Sequence, residues 1–109
     1  MRSKRDPSHA PNLFLAERYW PGATSEEFAA TERRIRAAIQ ELTRSGSVVR
    51  LLASTFIPGE ESVLQLFEAS GRDVLVEVGR RSGLAFDRIQ LAEMSEGVSS
   101  HEDTSESGR

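Results

Sequence analysis

The sequence predicts an α+β domain whose elements run strand, helix, strand, strand, helix, strand. Three observations carry that expectation. The stretch NLFLAERYWPG, residues 12–22, reads as a strand that ends in a hard turn. A capping box at Thr24 opens a segment with apolar residues at helical spacing. Two alternating apolar runs, 47–57 and 62–69, are separated only by PGEE, which folds the second back on the first as a hairpin.

The first strand has two apolar faces. Leu13, Leu15, Glu17 and Tyr19 point one way, and Phe14, Ala16, Arg18 and Trp20 the other, because side chains alternate along a strand. A strand half open to solvent would alternate more cleanly, so both faces are expected to be covered. Pro21 removes a ladder donor, and Pro21-Gly22 favours a type II turn.

Thr24 and Glu27 stand three apart, as N-cap and N3, and Glu26 and Glu27 suit the positive end of the helix dipole. Phe28, Ile35, Ala38, Ile39 and Leu42 form the apolar stripe of this first helix. Arg33, Arg34 and Arg36 alternate with Glu32 and Glu41, which reads as a solvated face rather than a phosphate site. Gly46 is placed to end the helix in the left-handed region. Ser70 is the expected N-cap of the second helix, which buries Val74, Leu75 and Val78 and stops at Gly83. The last strand is expected over residues 87–94.

Composition sets the limits. The 109 residues suit one domain, 12–94, between an N-terminal arm (1–11) read as flexible and a Ser/Glu-rich tail (95–109) read as disordered. There is no cysteine, so there is no disulfide, thiol nucleophile or thiolate metal site. No apolar run approaches a membrane span, and nothing resembles a signal peptide, so a cytoplasmic protein is expected. The net charge of -3 argues against nucleic-acid binding, leaving neither nucleic acid nor membrane as an expected partner. Arg2, Lys4 and Arg5 in the arm read as a solvated tail ahead of an anion contact.

Right-handed crossovers place both helices on one face of the sheet. The economical solution is the ferredoxin-like βαββαβ arrangement: a four-stranded antiparallel sheet, first and third strands central. Two helices cover one face only. The other, carrying Leu13, Leu15, Tyr19, Leu52, Phe56 and Phe67 in this reading, would be a large apolar patch on a monomer. A second copy packed sheet to sheet would bury it, so a homodimer is expected.

The segments LAERYWPG, LLASTFIPGEESVLQLFEA and GLAFDRIQL resemble small ferredoxin-like domains of a family described as nickel-responsive or nickel-binding. The resemblance spans residues 12–94. It implies a dimeric α/β barrel, and nickel enters as a cofactor only through it. The residues themselves do not ask for nickel, which prefers imidazole nitrogen, since His9 and His101 both lie in the tails. From the residues, no metal ligand is assigned.

Placing Phe14 and Ala16, Leu51 and Ala53, Leu64 and Leu66, and Ile89 and Leu91 beneath the helices leaves a polar set on the open face: Glu17, Tyr19, Arg50, Ser54, Gln65 and Gln90. Polar groups converging in an apolar surround are the usual form of a ligand pocket. The expected function is binding of a small ligand, or of a metal ion, between the sheets of a homodimer, without chemistry. One alternative is a cofactor-free oxygenase- or isomerase-like enzyme with Glu17 as acid or base. Another is an accessory protein whose Glu17 and Arg50 serve only the interface. No catalytic residue is assigned. A core histidine for a serine nucleophile, a phosphate-cradling glycine loop and the RNA-recognition signature are all missing.

Overall fold

The computed structural model describes residues 11–95. Residues 1–10 of the arm and 96–109 of the tail, with Arg2, Lys4, Arg5 and both histidines, lie outside the described residues. The elements are β1 (Asn12–Tyr19), α1 (Ser25–Arg44), β2 (Val49–Ile57), a 3-10 turn (Pro58–Glu60), β3 (Ser62–Ala69), α2 (Arg72–Ser82) and β4 (Arg88–Leu91). The four strands form one antiparallel sheet in the order β2-β3-β1-β4, with β3 and β1 central, and both helices lie on one face. This is the ferredoxin-like α+β arrangement expected from the order of elements. Among the described residues no helix is long and apolar enough to cross a membrane.

Local chemistry explains the boundaries. At Pro21-Gly22 the chain turns as a type II turn requires: Gly22 has φ +75°, and Ala23 N donates to Trp20 O at 3.4 Å. The capping box of α1 is complete, with Glu27 N on Thr24 Oγ1 at 3.1 Å and Thr24 N on Glu27 Oε1 at 3.0 Å. Helix α2 starts one residue later than expected. Its N-cap is Gly71, not Ser70, and no side chain caps it. The hairpin turn closes on Glu61 in the left-handed region, at φ 53°. A glycine would be unstrained there, but Glu61 has a use for its side chain. Its carboxylate accepts from Gly22 N and Tyr19 Oη, both at 3.2 Å, tying the hairpin to the end of β1.

The core lies between the sheet and the helices. Phe14, Ala16, Phe67, Ala69 and Val49 from the strands meet Ile35 and Leu42 of α1 and Leu75 and Val78 of α2. Phe67 also meets Phe86 edge-on, with ring centroids 5.8 Å apart. The helices are joined at the surface by Arg81, which bridges Glu41 of α1 and Glu77 of α2. Hydrogen bonds from Arg80 and Arg81 hold the Glu77 carboxyl well below the ordinary glutamate range, at about 2.

Two strands depart from the expected faces. Val63, Gln65, Phe67 and Ala69 of β3 turn under the helices, and Leu64, Leu66 and Glu68 face the open side, one residue out of step with the expectation. In β2 the register slips between Leu51 and Ala53, a β-bulge. The bulge reverses the parity of the strand. Val49 and Leu51 before it lie opposite buried Ala69 and Phe67, and Ser54 and Phe56 after it lie opposite buried Gln65 and Val63. Phe56, expected on the open face, therefore stacks on Phe28 of α1 at 5.3 Å. Ala53 and the two leucines of β3, expected in the core, line the open face.

Candidate functional site

The structure splits the six expected site residues between the two sides of the sheet. Directly opposed residues of an antiparallel pair share a face. On the open side, Leu15 opposes Gln90 and Glu17 opposes Arg88 across β1 and β4, while Leu15 opposes Leu66 and Glu17 opposes Leu64 across β1 and β3. Glu17 and Gln90 therefore do come together. The Glu17 carboxylate accepts from Arg88 Nη2 at 3.1 Å and from Gln90 Nε2 at 3.2 Å. Arg88 is the member that sequence reasoning missed. Its signal was its place two residues before Gln90, which puts both side chains on one face of a strand.

Arg50 lies on the same open face at its far edge, where it pairs with Glu68 at 3.2 Å and does not reach Glu17. Tyr19 sits at the end of β1, exposed, with its hydroxyl on Glu61. That hydrogen bond to a carboxylate raises the Tyr19 pKa. The open face thus carries Leu13, Leu15, Leu64 and Leu66 on its central strands, a Glu17–Arg88–Gln90 group at one edge and an Arg50–Glu68 pair at the other.

Ser54 and Gln65 are on the opposite side, beneath α1, and are not part of an open-face pocket. There they meet Glu32. Its Oε2 accepts from Ser54 Oγ at 2.9 Å and from Gln65 Nε2 at 2.5 Å. Glu32 was expected on a solvated face but is 8% exposed. It stands four residues after Phe28 and three before Ile35, on the apolar stripe itself, and that spacing was its signal. Arg18 enters the same layer from β1, opposite buried Val63, with its guanidinium 4.3 Å from the Trp20 ring. Burial lowers the Arg18 pKa, Asp87 and Glu32 oppose that shift, and Arg34 adds to it.

A nickel centre does not fit the described residues. No three histidine, cysteine, aspartate or glutamate side chains converge, and a borderline cation has no imidazole to bind there.

No family model matches the chain, and no curated protein matches it. A solved structure does: SCO4226 from Streptomyces coelicolor A3(2) superposes with a TM-score of 0.67 at 18% identity, over 77% of this chain and 99% of that one. At that identity the likeness speaks for the fold alone.

Proposed function

We propose that the protein is a homodimer that packs its open sheet faces together and binds a small ligand between them, with no chemistry of its own. The observation that carries this reading is the composition of the uncovered face. Its two central strands present Leu13, Leu15, Leu64 and Leu66, none of them fully buried by the chain's own helices. Such a patch on a sheet calls for a partner. Charge selects which partner. The face carries two carboxylates, Glu17 and Glu68, and two arginines, Arg88 and Arg50, each already paired within the chain. A face with balanced charge suits a second copy of itself, whereas a nucleic acid or an anionic membrane would call for net positive charge.

In such a dimer the Glu17–Arg88–Gln90 group would lie at the rim of the apolar layer, where it offers a ligand both donors and an acceptor. Arg88 is the group free to turn toward a ligand, because only one of its guanidinium nitrogens is engaged on Glu17. The Glu17 carboxylate, held by two side chains, reads as an anchor for Arg88 rather than as an acid or base.

Native mass spectrometry of untagged protein tests both halves. A mass of two chains plus a stoichiometric small molecule is the expected result. A dimer with nothing bound would remove the ligand and leave an accessory role. A single chain at micromolar concentration would overturn the reading.

A further inference from the structure

We propose that the cleft between α1 and the bulge of β2 is a second binding site, and that it takes a small organic cation, a primary amine. The cleft has a volume of about 210 Å³ and is lined by Phe28, Glu32 and Arg36 of α1 and by the bulged run of β2, residues 51–54. It is smaller than the roughly 300–1,000 Å³ of drug-sized sites, which sets the size of its ligand.

The chemistry comes from Glu32. Two donors hold its Oε2, the Ser54 hydroxyl and the Gln65 amide, and Gln65 is itself 1% exposed. The carboxylate is thereby fixed in one orientation. Its other oxygen, Oε1, accepts no hydrogen bond from any described residue. The nearest cation is Arg36 Nη2 at 3.6 Å, beyond hydrogen-bond range, on a side chain that is 65% exposed. A largely buried carboxylate with one oxygen committed and the other open to a cleft is an acceptor set for a charged donor. The lining is mostly polar, with a smaller apolar part. Phe28, braced on Phe56, offers an aromatic ring, and Leu51 and Leu52 offer aliphatic surface. Leu52 opposes no residue of β3, so the bulge sets it outside the ladder.

Other ligand classes fit less well. An anion would be drawn to Arg36, but Arg36 stands 3.6 Å from the Glu32 carboxylate, whose charge opposes it. A hard divalent cation needs six or more oxygens, and one carboxylate and one hydroxyl fall far short. A neutral alcohol could occupy the space but would forgo the charge-assisted bond.

The test is a titration of ¹⁵N-labelled protein with benzylamine near neutral pH, with benzyl alcohol as the control. Saturable amide shifts confined to residues 28–32 and 51–54 are expected, with the alcohol weaker by about tenfold or more. Glu32→Gln should weaken the amine by a similar factor, and Arg36→Ala, which removes a competing cation, should leave its affinity equal or higher. Should Glu32→Gln fail to fold, Leu52→Trp fills the cleft from an already bulged position and should abolish binding. Absence of saturable shifts, equal affinity for amine and alcohol, or shifts centred elsewhere would each overturn the site.

Discussion

Arg18 brings a charge under the helices that the surrounding residues do not fully compensate. Its Nε and Nη2 atoms are buried and without a hydrogen-bond partner among the described residues, and burial lowers its pKa ahead of every other cause. Leaving such donors unsatisfied costs about 1–3 kcal/mol, while the stacking on Trp20 returns roughly 0.5–2 kcal/mol. The aliphatic stem contributes its packing whether or not the charge is present. Arg18→Met keeps the stem and removes the donors. It should therefore be neutral to stabilising, by up to about 1 kcal/mol, in urea unfolding. A loss of that size instead would mean that the guanidinium finds a partner in solution, with Asp87 the acid that raises its pKa most. Glu32 shows the other solution to the same problem: a buried charge made tolerable by two donors brought from different strands.

Within the elements, helices were more legible in the sequence than strand faces, for a physical reason. Three of the four helix ends carry local signals that held, and only the uncapped start of α2, at Gly71 instead of Ser70, did not. Thr24 and Glu27 cap α1 as read, and Gly83, at φ 78°, closes α2 as read. A strand facing two apolar layers announces nothing about which side is which. In β3 the leucines looked like core and the glutamine like surface, yet Gln65 is buried because Glu32, from another element, hydrogen-bonds it. The bulge at Leu51–Ala53 then reversed the second half of β2, and no local signal in VRLLASTFI marks it. Glu17 and Gln90 were placed correctly because β1 has no bulge and its core face is marked by Phe14 and Ala16. Gly79 illustrates a local rule overruled by packing. In mid-helix, alanine would ordinarily gain about 1 kcal/mol over glycine. Here a Cβ would stand 2.9 Å from the Leu84 carbonyl oxygen and 3.5 Å from the Phe86 ring. That carbonyl belongs to backbone already anchored by Leu84 N on Gly79 O at 2.9 Å, so it has little room to retreat. Gly79→Ala should lower stability by about 1–2 kcal/mol, seen as a lower thermal midpoint, reversing the sign that helix propensity alone would give.

At the scale of the whole molecule, the sheet divides the protein into a covered side and an uncovered one. The covered side is complete without a partner, since Phe67, Ile35, Leu75 and Val78 are all fully buried within one chain. A substitution confined to the uncovered side should therefore disturb assembly without disturbing the fold. Leu66 is the position to use. It lies opposite Leu15 on β1 and Ala53 on β2, near the middle of the uncovered face, and only partly buried. In a sheet-to-sheet dimer related by a two-fold axis, Leu66→Glu would bring two unpaired carboxylates into an apolar layer, one from each chain, and burying either costs several kcal/mol. The expected variant is a folded monomer: unchanged far-ultraviolet circular dichroism, and half the wild-type mass by light scattering. Unfolding supplies an independent readout. A dimer's midpoint rises with protein concentration, because association stabilises only the folded state, and a monomer's does not. The wild-type midpoint should climb across a hundredfold range of concentration and that of Leu66→Glu should stay flat. A variant that keeps the wild-type mass would exclude this face as the interface, and an unfolded one would mean that the covered side is not sufficient by itself to hold the fold.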